Sequence, residues 1–163
     1  MNREILDRVM ELAEASWHEE NLSCREAEWD GAFSTLRLYL ESGGIPECVR
    51  GSKLLMASPS GDAIDGLMPT GYTLEVSSPG VEAPLRRIHH FTGAIGEKVV
   101  IIVKDGGKLV EREGVVLSTS VGDSTVTLSI DGSVVFPLNA ISKAHVVVDW
   151  NAIQRADAGE IEE

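Results

Sequence analysis

Two cysteines, eight aromatic residues and fourteen basic residues are all that this 163-residue chain holds of those types. Each scarcity excludes something. Cys24 and Cys48 lack a CxxC spacing and follow no secretory leader, so they read as two unpaired thiols in a reducing cytoplasm. No run of about 18 apolar residues occurs, so no segment is expected to span a membrane. The opening Met1-Asn-Arg-Glu-Ile-Leu-Asp-Arg puts charge where a signal peptide needs its apolar stretch. Basic residues are outnumbered by 26 acidic ones, for a net charge of −12. The imbalance runs along the whole chain, with net −7 in residues 1–95, −2 in 96–150 and −3 in 151–163. Such a surface repels nucleic-acid phosphates and attracts basic partners, and it also keeps a protein soluble. RNA-reading barrels pair basic surface with exposed aromatics. Between 96 and 150 only Phe136 and Trp150 are aromatic, and Phe136 alternates with Val134 toward a core.

Catalytic groupings are equally thin, and no catalytic residue, cofactor or metal is assigned. His89-His90 are sequence neighbours whose rings are expected to point apart as a surface pair. His18 and His145 have no Cys or His at ligand spacing. Gly51-Ser-Lys53 lacks the GxxxxGK[ST] frame of a phosphate loop. Ser77 and Ser78 lack the G-x-S-x-G context of a nucleophile elbow. A hydrolase using Ser77-Ser78 with His89 as base is therefore the remotest reading, and the chain is taken not to be an enzyme.

What is present is a clear division of texture. Residues 3–17 place Ile5, Val9, Leu12 and Ala13 on one helical stripe, broadened by Leu6, Met10 and Trp17, with Asn2 as N-cap. Residues 19–30 suggest an edge strand through Leu22 and Cys24. Phe33–Glu41 alternates Leu36, Leu38 and Leu40 against Arg37 and Tyr39, a half-buried strand. Pro46 to about Ala57 predicts a second helix with Cys48, Val49, Ser52 and Leu55 inward, weakened by Gly51. Residues 58–71, broken by Pro59, Gly61, Gly66, Pro69 and Gly71, read as loop. A strand over 72–78 follows, then a short helix or turn over Arg86–Phe91. From Gly96 the chain becomes five short apolar runs: Lys98–Lys104, Leu109–Thr119, Thr125–Ile130, Val134–Leu138 and Ala144–Trp150. They are separated by Gly106-Gly107, Gly122-Asp123 and Asp131-Gly132, the last a strong hairpin cue. Five strands in so short a span suit a small SH3-like barrel.

Tyr72-Thr-Leu-Glu-Val-Ser-Ser-Pro-Gly-Val-Glu-Ala-Pro-Leu85 is the most specific stretch. Tyr72, Leu74 and Val76 alternate with Thr73, Glu75 and Ser77, and Pro79-Gly80 suits the centre of a type II turn. It resembles the signature of the bacterial ribosome maturation factor RimP family, usually Tyr-x-Leu-Glu-Val-Ser-Ser-Pro-Gly-Leu-Asp-Arg-Pro-Leu. Leu36-Arg-Leu-Tyr-Leu-Glu41 followed by Gly43-Gly44, the Cys48-x-x-x-Ser52 spacing, Phe91 with Gly93, and Pro137-Leu138-x-x-Ile141-x-x-Ala144 are similar to further family features in the same order. Three departures mark a divergent member, one of them a second-helix region with a shortened approach and an internal Gly51. Glu82-Ala83 stands where the family has Asp-Arg, and the glycine that normally ends the first helix is absent near Trp17-His18.

The resemblance implies an α+β chain, with an N-terminal α/β domain over 1–91 and a C-terminal SH3-like β-barrel over 92–150. An acidic, flexible tail is expected over 151–163. It implies a cytoplasmic, non-enzymatic factor that binds the immature small ribosomal subunit and a basic ribosomal protein near the decoding centre, with rRNA contact secondary and no membrane. The acidic balance agrees with a basic protein partner. The partner-binding residues expected on this reading are Glu75, Ser77, Ser78, Pro79, Gly80 and Glu82, with Arg86-Arg87 as a local anchor. The alternative for the serines is that their hydroxyls satisfy backbone groups around the turn. The alternative function is a small-barrel RNA-binding protein acting outside ribosome assembly.

Overall fold

Asn2 opens the first helix by capping it: its Oδ1 accepts the Ile5 N–H at 3.0 Å, and α1 runs Arg3–Trp17. The computed structural model describes residues 1–80 and 82–148. Its elements make an α+β chain with two sheets, of three and five strands, and four α-helices among the described residues. None of those helices is long and apolar enough to cross a membrane. Two compact units divide between Gly80 and Val81. That division precedes the Phe91 boundary drawn from the sequence, and Leu85 and Phe91 both lie in the second unit's core.

In the first unit, β1 (Cys24–Asp30), β2 (Thr35–Leu40) and β3 (Thr73–Ser77) form a sheet in that order, with helices α2 (Ile45–Met56) and α3 (Pro59–Leu67) between β2 and β3. β1 is antiparallel to β2, and β3 is parallel to it, with Leu36 opposite Leu74 and Leu38 opposite Val76. The alternation expected of β2 is realised: Leu36, Leu38 and Leu40 are fully buried with Trp17, Leu55 and Ile64, while Arg37 and Tyr39 take the other face.

The missing glycine after α1 has a local substitute. A single 3-10 turn over His18–Glu20 leads to Asn21 at φ +58, and Leu22 N–H returns to the Trp17 carbonyl at 3.3 Å. Asn tolerates the left-handed region better than most residues, because its short side chain bonds locally.

Two expectations for this unit need correction. Residues 58–71 are not all loop, since α3 occupies Pro59–Leu67. Pro59 sits in the first turn, where its absent N–H is harmless, and Ser58 Oγ caps by accepting the Gly61 N–H at 3.3 Å. Val49 is not on the inner stripe of α2 but 47% exposed, and Gly51 with Leu55 makes the buried row. Gly51 is there because Trp17 lies over it. The indole Nε1 donates to the Gly51 carbonyl at 2.9 Å, and a Cβ on Gly51 would sit 3.3 Å from Trp17 Cζ2. Gly51→Ala should gain about 1 kcal/mol of helix propensity and lose more to the crowded, fully buried indole. Urea unfolding should therefore show a net loss of about 1 kcal/mol.

The second unit's sheet runs β7-β6-β5-β4-β8, all neighbours antiparallel. The strands are β4 (Lys98–Asp105), β5 (Lys108–Ser120), β6 (Thr125–Ser129), β7 (Ser133–Pro137) and β8 (Ile141–Val146). A short helix α4 (Ile88–Gly93) precedes them. Two of the three glycine-bearing separators turn on paired positive φ values: Gly106 and Gly107 have +57 and +84, and Asp131 and Gly132 have +48 and +114, whereas beside Gly122-Asp123 the positive φ falls on Ser124 at +52. Two successive positive φ values give the turn hand that matches strand twist. The last strand lies over Ile141–Val146 rather than from Ala144 onward, because Ile141 pairs with Val103. Residues 149–163, including Trp150 and the acidic tail, lie outside the described residues.

Candidate functional site

The signature stretch is shared between the two units, and each part has its own surroundings. Tyr72 and β3 belong to the first. Tyr72 Oη donates to Asp65 Oδ1 on α3, and burial followed by this bond pushes the phenol above its ordinary value. Leu74 and Val76 are partly buried against the core, whereas Glu75 is exposed on the opposite face.

That outer face carries a charge row across all three strands. Glu28 on β1 lies 4.0 Å from the Arg37 guanidinium on β2, and Arg37 Nε lies 3.3 Å from Glu75 Oε1 on β3. Arg37 Nη2 donates to the other Glu75 oxygen at 3.3 Å. Parallel register sets the contact, since Arg37 and Glu75 are partners across β2 and β3. Ser77 shares Glu75's face two residues on, and its hydroxyl donates to Glu75 Oε1 at 3.0 Å. The serine thus holds a carboxylate rather than the turn's backbone. Ser78 is exposed, and its hydroxyl has no hydrogen-bond partner among the described residues.

The Arg37 bond, then the Ser77 bond, hold the Glu75 carboxyl below its ordinary value. Tyr39 beside them is pushed up to about 12, first by burial and then by its bond to Glu28. A folded-state value below the unfolded one means that Glu75's contribution is present above the ordinary carboxylate range and fades as pH falls through its folded value. Arg37→Ala should raise the Glu75 midpoint toward that of free glutamate in a carboxyl-detected pH titration. Stability at neutral pH should change little, because the pair is solvent-exposed.

Pro79-Gly80 ends the first unit, and Gly80 adopts φ +68, as the third position of a type II turn requires. Of the remaining expected residues, Glu82 is exposed, Arg86 is partly buried and Arg87 is exposed, all in the second unit. The end of the signature is structural there. Leu85 N–H bonds the Ala144 carbonyl at 2.9 Å, Val146 N–H bonds Ala83 at 3.0 Å, and Pro84 bridges to His145, so this segment lies along β8.

His89 and His90 do not diverge as expected. Their ring centroids are 4.2 Å apart, and His90 is 4% exposed. His90 Nδ1 accepts the backbone N–H groups of Arg86 and Arg87, each at 2.9 Å. The imidazole, three residues into α4 from its N-cap Arg87, reaches back to the N-cap N–H, the place a Glu or Gln usually takes in a capping box. His90 is therefore tied to backbone satisfaction, and nothing in the Arg-Arg-x-His-His spacing announced this.

A groove of about 620 Å³ opens between α2 and β3, lined among others by Ile45, Cys48, Val49, Ser52, Val76 and Ser78. Burial, then Glu47, pushes the Cys48 thiol above its ordinary value, so this cysteine presents a neutral lining. A second cavity of about 390 Å³ lies under Tyr72 and Leu74 against Ile64 and Leu55. Sequence reasoning missed the groove because it depends on β3 being a sheet edge.

No family model matches the chain.

Proposed function

We propose that this chain is a ribosome maturation factor of the RimP kind, which binds the immature small ribosomal subunit and helps a basic ribosomal protein to settle. The observation that carries the reading is the Tyr72–Leu85 signature taken together with its placement. Its first half is the edge strand of one unit's sheet, its Gly80 has the left-handed φ that the motif requires, and its Pro84-Leu85 end is pinned along β8 of the next unit. A motif of this kind serves a two-module chain.

On the same reading the first unit is the family's α/β domain and the second its SH3-like barrel. The second part is supported by the meander order of β4 to β7, by β8 returning to β4, and by β5 changing partner midway along its length. The partner is a protein more than RNA, because a chain of net charge −12 meets phosphates unfavourably. Glu75, Ser77 and Ser78 are its exposed or half-exposed contact residues, with Glu82, Arg86 and Arg87 in a supporting role.

Co-sedimentation with small subunits from cells depleted of this protein tests the proposal. The expected result is enrichment on immature particles, with rescue of unprocessed rRNA when the chain is restored. Failure to associate with such particles overturns it. Filter binding to free RNA with a steep salt slope would instead establish the RNA-binding alternative.

A further inference from the structure

β3 is the unguarded edge of the first sheet. The other edge, β1, is interrupted by a register shift between Cys24 and Glu26 and carries Arg25, Glu28 and Asp30. β3 has no bulge, proline or lysine within Thr73–Ser77, and no strand among the described residues pairs beyond it. Its backbone polarity follows from one bond. Thr73 N–H points to the Ser34 carbonyl at 2.9 Å, on the β2 side, so alternation turns the N–H and C=O of Leu74 and Val76 to the open edge. Beside that edge runs the α2 groove, and α2 holds Ile45 at 81% and Val49 at 47% exposure, one turn apart along its rim. An open backbone edge next to an exposed apolar helix row is the arrangement that receives an added strand.

We infer that the β3–α2 groove binds an extended peptide segment of a basic partner, which adds to β3 as a fourth strand, with apolar residues alternating with Lys or Arg. Alternation is required because successive side chains of the added strand face opposite ways. One set packs on Ile45 and Val49, and the other lies on the outer face beside Glu75. The groove lining itself is balanced, with Lys53 against Glu75, but the unit around it holds 6 basic and 14 acidic residues over 1–80, a net of −8. That field selects a cationic segment. It disfavours a second copy of this chain, and equally the chain's own acidic residues 151–163. The five residues of β3 set the engaged length at about 16 Å of extended chain. The inference stands on the first unit's geometry and not on the ribosomal reading.

The test is an amide-resolved titration of the full chain with the blocked heptapeptide acetyl-Lys-Val-Lys-Val-Arg-Val-Lys-amide. Saturable shifts are expected at Leu74, Val76, Ile45 and Val49, with slowed exchange of the Leu74 and Val76 amides. The same peptide N-methylated at alternate residues should bind at least about tenfold more weakly, since it cannot complete the ladder. Val49→Glu adds negative charge on an exposed helix position, yet should also weaken binding severalfold because it removes an apolar contact. Equal affinity for the methylated peptide, or tighter binding by Val49→Glu, would reduce the effect to general charge attraction and overturn the inference. So would the absence of binding, or protection of the β3 amides by self-association in peptide-free samples.

Discussion

Gly61→Ala should cost the first unit about 3 kcal/mol, among the largest effects of any single methyl group in this chain. Gly61 lies in the first turn of α3 over the end of α2, and a Cβ there would stand 2.1 Å from the Leu55 carbonyl oxygen. That oxygen is not free to yield. It accepts the Ser58 N–H at 3.1 Å and the Ser58 hydroxyl at 3.0 Å, while Leu55 itself is fully buried. Relief requires α2 and α3 to part at their corner, which opens Ile64 and Trp17 to water. Hydrogen exchange should report this as lost protection in β2, at Leu36 and Leu38, with β4 amides such as Val99 and Ile101 unchanged. Unaltered protection in β2 would show that the corner is looser than its geometry says.

Gly114→Ala is the counterpart in the second unit. Gly114 is opposite Val99, and a Cβ on it would meet the Ser129 carbonyl oxygen at 2.5 Å and Ile130 Cγ1 at 2.8 Å. It stands where β5 passes from pairing with β4 to pairing with β6, since Val115 partners both Lys98 and Ser129. The strand must approach closely at this crossing, and only a residue without a side chain permits it. A loss of about 2–3 kcal/mol is expected, again with a selective fall in exchange protection, now at Val116 and Leu128 rather than in β2. A larger side chain, as in Gly114→Val, should prevent the β5–β6 pairing from forming, and circular dichroism should show lost strand signal.

Where an element's signal was local, the residues announced it. The stripe of α1, the alternation of β2 and β3, and the Asp131-Gly132 turn each follow from period or backbone preference within a few residues. α3 was hidden because Pro59, Gly61 and Gly66 carry the composition of a loop. Pro59 is legitimate at a helix start, and Gly61 answers to the carbonyl of Leu55 six residues earlier, an approach set by the angle at which α2 meets α3 and not by composition. Val49 was assigned inward because helical spacing fixes which residues share a stripe but not which flank of the stripe the sheet covers. Part of the site was legible in the same sense. Glu75 and Ser77, two apart on a strand, share a face by construction, so their hydrogen bond was open to deduction. The Arg37–Glu75 pair joins residues 38 positions apart, and the parallel register that unites them is decided by the packing of two intervening helices. The cap formed by His90 required knowing that Arg86 and Arg87 turn their N–H groups inward.

The parallel partnership of β2 and β3 has a consequence for how the chain comes off the ribosome. An antiparallel neighbour arrives after a short turn, as β2 follows β1, but a parallel one must wait for a crossover. Here Thr35 meets Thr73 only after two helices have been made. Until then the far edge of β2 is bare, and its leucine row has a sheet of two strands to hold it. Synthesis therefore leaves an interval in which the nascent first unit is sticky, closing when Leu74 and Val76 emerge and dock. The later meander has no such gap between β4 and β7, because each of those strands finds its predecessor across a turn.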